Sequence, residues 1–448
     1  MGAGYNLLLP FYWISKEGMG LQVTHVSEVG LEYCKRMVRR ELLQDNPEVE
    51  GIVRGIIARV KAEGDIALLE LGRKFDNPDL ASLEVDMSMC LTAYNNLDVD
   101  VRRALEKAAA NIRDFHQAQR HESWMDVKRG RVVGQLIRPL SRVGVYIPGG
   151  TAAYPSTVLM TAIPARAAGV QEIVMCSPSA HPAVLAAAHI AGVDRIFLAG
   201  GAQAIAAMAL GTETVPVVDK IVGPGNVFVN VAKKLLWGVV DMDMLAGPSE
   251  VCVLADSGAD PECAAMDLLT QVEHDADCAG YLITPSLDFA NRVLQTIEQR
   301  LEHLPRKLIL KGALDAHGMV FITHDLEEAC ELANACAPEH LALMVRDPFA
   351  TLGSISNAGA ILMGDYSPQT LGDYWAGPSH TLPTSGTARF SSPLHTGTFV
   401  KKSSFIYFNP AELAACSTEL TVLARAEGFE AHAQAVEARK NICIKDAQ

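Results

Sequence analysis

Short apolar segments alternate with segments of helical pattern through the middle of the chain, and this alternation restricts the possible folds more than any other feature. Four apolar segments recur about every 25 residues, and a helical pattern follows each one: 143–150, 172–178, 195–201 and 220–226. Strands that alternate with helices in this way form a parallel sheet covered by helices. The sequence therefore predicts a Rossmann-like domain of about 100 residues here.

A second series of the same kind lies further along the chain. Its strand-like segments are 251–257, 279–285, 319–325, 340–345 and 360–364. Asp325 and Glu328 have the spacing of a capping box, which predicts that a helix begins there. Helical patterns also precede the first series, at 27–75, where Gly64 interrupts the pattern, and at 97–119.

These patterns predict an α/β fold of two interleaved Rossmann-like parallel-sheet domains with N- and C-terminal helical arms. The first domain would consist of 31–141 together with 246–390, and the second of 142–245. Residues 1–30 would form an N-terminal extension. The segment 391–448 would form a C-terminal tail, and its last fifty residues have an Ala-rich helical pattern. Such a tail either docks on a partner subunit or forms a plain terminal helix.

Charge and cysteine content narrow the classes of function. A net charge of −14 disfavours nucleic acid or an anionic membrane as a partner, because both select basic surfaces. No apolar run reaches the roughly 18–20 residues of a membrane span. The ten cysteines are scattered singly, which is typical of reduced thiols in the cytoplasm. The start resembles no signal peptide, and we hypothesise that Met19 is the natural first residue.

Two glycine-rich turns each join a strand to a helix. They are Pro148-Gly149-Gly150 and Gly223-Pro224-Gly225-Asn226. Backbone amides at such a turn, together with a helix N-terminus, can hold phosphate groups. Turns of α/β proteins also need glycine for backbone reasons alone, and the G-x-G-x-x-G fingerprint is absent. Both interpretations therefore stay open.

The segment 260–275 is predicted to be one helix that ends in metal-capable side chains. Asp260 and Pro261 are suited to its first turn. Gln271 and His274 are three residues apart and would share a face with Asp267 one turn earlier. A histidine near a helix C-terminus can also merely complement the helix dipole. Other clusters must decide between the two.

Further acidic residues and histidines occur in three places. Glu339 and His340 stand side by side before a predicted strand, and Asp373 and His380 lie in a loop-rich segment. The terminal helix carries Glu427 and His432. Each histidine alone is typical of an ordinary surface or core residue. An amide oxygen, two imidazoles and a carboxylate together would suit Zn²⁺.

The order of the motifs resembles the histidinol dehydrogenase family over about residues 30–440. The matching segments are VGVYIPGGTAAYPSTVLM, GGAQAIAAMALGTE, KIVGPGN, DMLAGPSEV, DLLTQVEHD, APEHLAL, SPQTLGDYWAGPSHTLPT and EGFEAH. The resemblance implies an NAD-dependent, zinc-requiring, four-electron oxidation of L-histidinol through L-histidinaldehyde to L-histidine. It also implies a cytoplasmic homodimer with one zinc ion per subunit and a site shared between subunits.

The resemblance implies a role for each matching residue. Glu339 would activate water and His340 would act as the general base. The zinc ligands would be Gln271, His274, Asp373 and, from the other subunit, His432. These four residues would also contact the substrate, as would Ser249, His340, His380 and Glu427. Tyr146, Gln203 and Asn226 would contact NAD.

Some positions depart from the family's usual pattern and leave three functions open. Thr161 and Ser379 stand where asparagine is usual, and 395–397 also differs. The chain could therefore be a paralogous zinc and NAD dehydrogenase of another small polar alcohol, such as sulfopropanediol. The retained Glu427, expected near the substrate amine, favours an amino alcohol. A non-catalytic zinc- or nucleotide-binding protein has no need of an intact Glu339–His340 pair.

Overall fold

A computed structural model describes residues 21–40, 46–149 and 153–445. The proposed start at Met19 and Gly150 of the first glycine turn lie outside these residues. The strands, in chain order, are β1 Gln22–His25, β2 Trp124–Lys128, β3 Arg131–Pro139, β4 Arg142–Tyr146, β5 Glu172–Ser177, β6 Arg195–Leu198, β7 Lys220–Val222, β8 Asp241–Met242, β9 Glu250–Ala255, β10 Ala279–Thr284, β11 Gly318–Ile322, β12 His340–Met344, β13 Ala360–Met363 and β14 Val400–Phe408. Each of the nine strands predicted from the sequence is present.

Helices connect most of these strands. They are α1 Val26–Val29, α2 Leu31–Met37, α3 Pro47–Glu63, α4 Asp65–Phe75, α5 Ser88–Asn96, α6 Val99–Ala118, α7 Pro155–Ala168, α8 Pro182–Ala191, α9 Gly201–Leu210, α10 Val227–Leu236, α11 Pro261–Val272, α12 Leu287–Leu301, α13 Lys307–His317, α14 Leu326–Cys336, α15 Pro348–Leu352, α16 Gln369–Tyr374, α17 Pro410–Ala426 and α18 Glu430–Lys445. The predicted start of α14 is confirmed, because the Asp325 carboxylate accepts the Glu328 N–H at 2.9 Å. None of the described helices is long and apolar enough to cross a membrane.

The larger sheet has six parallel strands in the order β1-β11-β10-β9-β12-β13. Every residue of β9, β10 and β12 is buried, as expected for parallel strands that are covered by helices on both faces. From β9 the chain builds the sheet first towards β10 and β11 and then returns to add β12 and β13 on the other side. The predicted α/β class is confirmed.

The smaller sheet has five parallel strands in the order β6-β5-β4-β7-β8. The chain runs from β4 to β5 and β6 on one side and then places β7 and β8 on the other. The strand order therefore reverses between β4 and β7, where Val145 pairs with Val222 at the carboxyl ends. Open α/β sheets bind ligands in the crevice at such a reversal.

Among the described residues, 120–140 and 400–445 form a second compact unit, and the others form the first unit. The second unit holds an antiparallel sheet in the order β14-β3-β2, with α17 and α18 following in sequence. The prediction that the last fifty residues are helical is wrong for Val400–Phe408, which form β14. Val400 pairs with Pro139 and Phe408 with Arg131, so the strand depends on a partner far away in sequence.

Candidate active site

The candidate site lies at the amino ends of two central strands of the six-stranded sheet. Ser249 directly precedes β9, and His340 is the first residue of the adjacent strand β12. Ala337, in the left-handed conformation (φ 47°), ends α14 and turns the chain into Pro338 and Glu339. This is the opposite end from the one at which open α/β sheets usually bind ligands.

Glu339 is buried and held by hydrogen bonds to its carboxylate. Its Oε2 accepts the backbone N–H of Glu250 at 3.0 Å and the Nε2 of Gln271 at 3.3 Å. The Ser249 side chain also hydrogen-bonds to the carboxylate. Burial raises the pKa of Glu339 despite the opposing effect of His340 and these hydrogen bonds. The carboxyl group is therefore a stronger base than an exposed glutamate.

His340 is buried between two carboxylates. Its Nε2 lies 3.5 Å from Oδ1 of Asp373, and its Nδ1 lies 3.9 Å from Oε2 of Glu339. Burial lowers the pKa of His340, but the Glu339 and Asp373 carboxylates outweigh burial and leave that pKa above its usual value. The Nδ1 atom has no hydrogen-bond partner within the described chain. The imidazole is therefore a stronger base than that of an exposed histidine.

The helix that carries Gln271 is shorter than the sequence predicts. It begins at the predicted Asp260 cap but ends at Val272, so His274 lies in the following turn. Glu273 and Asp275 follow the helix without a cation in its last turn, and acidic groups at a helix C-terminus oppose its dipole. The His274 N–H still donates to the Gln271 carbonyl at 3.3 Å, which keeps the two residues adjacent.

Asp373 lies near three histidines of the first unit. Burial raises its pKa, but His340, His380 and His274 outweigh that effect and lower the pKa overall. Gln271 is buried, whereas His274 is exposed. The structure therefore brings one amide, one carboxylate and three imidazoles of the first unit into one neighbourhood.

Gln369 belongs to this neighbourhood, although the sequence analysis did not include it. Its buried Nε2 donates to Oε1 of Gln271 and lies 3.5 Å from Oδ2 of Asp373. One amide group thus bridges two predicted metal ligands that are 102 residues apart in the sequence. The one available signal was its position four residues before Asp373, on the same face of α16.

Asp267, the other candidate of the same helix face, lies beneath Gln369. Its carboxylate accepts the Gln369 backbone N–H, and its Oδ2 has no partner within the described chain. Burial is the main reason that the pKa of Asp267 is raised to about 6. This carboxylate therefore secures the first residue of the helix that carries Asp373.

The pKa of Asp267 predicts a pH-dependent contribution to stability. Because the folded protein holds this proton more tightly than the unfolded chain, stability is present below the ordinary aspartate pKa and is lost as pH rises through about 6. From pH 4 to pH 7.5, we expect the free energy of unfolding of Asp267→Asn to rise by about 2 kcal/mol relative to that of the wild type. Denaturant unfolding of metal-free protein at both pH values measures this gain, and a constant difference would contradict it.

Two of the three residues expected to contact NAD, Tyr146 and Asn226, lie at the strand-order reversal of the smaller sheet. The Tyr146 hydroxyl accepts the Gly201 N–H at 3.0 Å, and Gln203 follows in the first turn of α9. Asn226 caps α10, because its side-chain oxygen accepts the backbone N–H groups of Phe228 and Val229. Gly223 has a φ of 116°, and a Cβ there would lie 2.2 Å from the Tyr146 carbonyl oxygen. The two strand ends therefore approach closely only because residue 223 is glycine.

A buried ion pair holds the second glycine turn in place. Nζ of Lys233 lies 2.7 Å from Oδ1 of Asp243, and each side chain is 1% exposed. Lys233 also donates to the Gly223 carbonyl at 2.6 Å, while Asp243 accepts the Gly223 N–H at 2.7 Å. The pair thus binds both backbone groups of the glycine that begins the turn.

We expect Lys233→Met to lower the free energy of unfolding by about 3 kcal/mol, because Asp243 would remain buried without its cation. The denaturation midpoint measures the effect. Lys234→Met, at the exposed neighbouring position, is the matched control and should cost less than about 0.5 kcal/mol. Equal shifts in the two variants would show that the buried pair has no special role.

Comparison with known proteins assigns the chain to a family. The family model described as histidinol dehydrogenase matches residues 39–440. Histidinol dehydrogenase of Aquifex aeolicus is 49% identical over 413 residues, which cover 92% of this chain and 96% of that one. The enzyme of Syntrophotalea carbinolica is 50% identical over 398 residues, 87% of this chain and 92% of the other.

The chain belongs to the histidinol dehydrogenase family. It is therefore an oxidoreductase. The crystal structure of histidinol dehydrogenase from Elizabethkingia anophelis superposes with a TM-score of 0.90 at 35% identity and covers 95% of this chain and 99% of that one. The resemblance inferred from the motifs is confirmed at the level of the family and of the fold.

The residues expected from the histidinol dehydrogenase pattern divide between the two units. The first unit contains Ser249, Gln271, His274, Glu339, His340, Asp373 and His380, together with Tyr146, Gln203 and Asn226. The second unit contains Glu427, which follows α17, and His432 in the first turn of α18. Both are exposed, and the His432 ring lies 5.1 Å from that of Phe429.

The donor set of the first unit is compatible with the zinc ion implied by the histidinol dehydrogenase resemblance. No three or more His, Cys, Asp or Glu residues among 21–40, 46–149 and 153–445 form a group that could hold a metal. The predicted set, however, takes one of its ligands from an amide and another from a second subunit. Unpartnered buried acceptors on Asp267 and Gln369 next to Gln271 and Asp373 fit a nearby cation.

Proposed function

We propose that the chain catalyses the NAD-dependent, zinc-requiring oxidation of L-histidinol through L-histidinaldehyde to L-histidine, the last two steps of histidine biosynthesis. One observation carries the proposal in addition to family membership. Glu339 and His340, the two proposed proton acceptors, are adjacent and buried against Gln271 and Asp373. All four residues belong to the pattern expected for this reaction. The pKa values of Glu339 and His340 are both raised, so each side chain is a stronger base than its exposed counterpart.

In the first oxidation, His340 takes the proton of the alcohol group. Asp373, 3.5 Å from Nε2, orients the ring and stabilises the imidazolium that forms. Bound NAD would supply the acceptor for the hydride that leaves the same carbon, so the products would be the aldehyde and one NADH.

In the second oxidation, Glu339 takes a proton from water as the water oxygen adds to the aldehyde carbon. The imidazolium of His340 returns the proton of the first step to the former carbonyl oxygen, which completes the hydrate. Neutral His340 then takes a hydroxyl proton from the hydrate as a hydride leaves for a second NAD, which yields the carboxylic acid. Glu339 is suited to this role because burial raises its pKa while Gln271 and the Glu250 N–H keep the carboxylate oriented.

Gln271, His274 and Asp373, with His432 of the partner subunit, would hold the zinc ion. A zinc ion bound there would mainly orient the substrate and would also stabilise developing negative charge. Ser249, His380 and Glu427 would complete the substrate contacts. Tyr146, Gln203 and Asn226 would contact NAD at the strand-order reversal of the smaller sheet.

The second unit supports the proposed homodimer. Large apolar side chains that are more than half exposed lie on β2 and β14: Trp124, Met125, Val127, Ile406 and Tyr407. Apolar surface of this extent on a small unit is typical of a contact with another chain. A cytoplasmic location is proposed because the nine cysteines that the structure describes are free thiols.

The second candidate function is the oxidation of another small polar alcohol such as sulfopropanediol. It is favoured by two departures from the family pattern, Thr161 and Ser379, which are both buried. Ser379 directly precedes His380, and Thr161 hydrogen-bonds to the carbonyl of Thr157, whose hydroxyl contacts His380. Such changes near a substrate residue can alter which alcohol binds, while the proton-transfer residues stay the same.

The test supplies purified protein with Zn²⁺ and NAD and follows NADH on L-histidinol and on sulfopropanediol. About two NADH per L-histidinol, expected for a four-electron oxidation, support the proposal. Activity on the sulfonate alone supports the second candidate. Activity on neither alcohol would favour a non-catalytic binding protein and would contradict both.

A further inference from the structure

Helix α7 contains a proline that leaves one carbonyl group without its usual partner. Pro164 has no N–H, so the carbonyl of Met160, four residues earlier, loses its hydrogen bond within the helix. Met160 and its neighbours in α7 are buried, which excludes water as a ready substitute. A buried carbonyl without a donor is costly, so another group must satisfy it.

Ser379 satisfies this carbonyl from a distant part of the sequence. Its hydroxyl donates to the Met160 carbonyl at 3.0 Å, and the Ser379 side chain is buried. The same hydroxyl accepts the backbone N–H of Thr381 at 3.2 Å. One oxygen atom thus ties the residues on both sides of His380 to helix α7.

The ring of His380 is held by the same helix. Its Nδ1 lies 2.9 Å from the Asp373 carbonyl oxygen, so Nδ1 carries the proton of the neutral ring. Its Nε2 lies 3.3 Å from Oγ1 of Thr157, one turn before Thr161 on α7. Helix α7 therefore contacts both the backbone segment that carries His380, through Ser379, and the His380 ring, through Thr157.

We infer that Ser379 is a positioning residue that uses the carbonyl freed by Pro164 to hold His380 in place for the substrate. The inference rests on the proposed function, since His380 is there expected to contact the substrate. Helix α7 also follows the first glycine turn of the smaller sheet. The tether therefore links the substrate side of the site to the element that follows the predicted nucleotide turn.

The test is a double-mutant cycle of Ser379→Ala and Pro164→Ala. Ser379→Ala should raise the KM for L-histidinol about five- to tenfold, with a smaller change in kcat, because a substrate contact is loosened. It should also lower Tm by about 2 °C or more, since the Met160 carbonyl loses its donor. Pro164→Ala supplies a backbone N–H to that carbonyl.

In the Pro164→Ala background, Ser379→Ala should therefore cause little further loss of Tm. The KM of the double variant should still be raised relative to that of the wild type. Ser379→Asn, which keeps a hydrogen-bond donor, is the conservative control and should retain a KM within about twofold of wild type. An increase in KM that vanishes together with the Tm loss would overturn the positioning role. An unchanged KM for Ser379→Ala would overturn it as well.

Amide hydrogen exchange of the substrate-free protein separates this inference from the proposed function. Exchange at Ser379–Thr381 should be faster in Ser379→Ala and in the double variant than in the wild type. If the wild-type protein does not oxidise L-histidinol, the proposed function is wrong. The exchange rates alone then show whether Ser379 holds the segment around His380. Equal exchange in all variants would show that Ser379 does not hold the loop.

Discussion

Replacing His340 with asparagine should slow both oxidation steps by about 10²–10⁴-fold, the usual contribution of a general base. Asparagine cannot accept the proton of the alcohol or of the hydrate, so both half-reactions lose the same group. The measurement uses L-histidinol and L-histidinaldehyde as separate substrates, with zinc content and NAD affinity as controls. Full activity on the aldehyde would assign the second proton transfer to another residue.

The environment of His340 also sets the direction of the pH profile. A base must be unprotonated, and the two neighbouring carboxylates keep the pKa of His340 above its usual value. The kcat/KM of the wild type should therefore fall as pH decreases through that raised pKa. The same limb should be absent from the residual activity of His340→Asn.

Glu339→Gln should divide the two steps. We expect aldehyde oxidation to fall about 10³-fold, because water loses its proton acceptor, and alcohol oxidation to fall less than tenfold. Glutamine has nearly the same shape, and its Oε1 can still accept the Glu250 N–H and the Gln271 amide. Structural damage is therefore small, and accumulation of the aldehyde in a trapping assay would reveal the block. Equal losses in both steps would contradict the assigned role.

Much of the fold could be predicted because local pattern and tertiary structure agree in the parallel sheets. Strands such as β9 and β12 are buried on both faces and appear in the sequence as continuous apolar runs. The strand β14 could not be predicted in this way. Its residues are mostly exposed, and its pairing with β3 depends on residues more than 250 positions away. Long-range pairing leaves little trace in local periodicity.

The candidate site shows the same division between local and distant information. Glu339 and His340 could be chosen because two titratable groups adjoin in the sequence, and Gln271 and His274 because of their spacing. The bridge that Gln369 forms between Gln271 and Asp373 could not be foreseen, since it depends on where α16 lies against α11. The early end of α11 at Val272 was also missed, because helix periodicity does not reveal where a helix ends.

The position of His340 in β12 has a consequence for how the protein withstands heat. The residue pairs with Val251 on one side and with Ala360 on the other, within the interior of a six-stranded ladder. Detachment of the general base therefore requires the central strands to separate, rather than the opening of a surface loop. On slow warming, amide hydrogen exchange within β12 should therefore stay slow until the sheet itself unfolds.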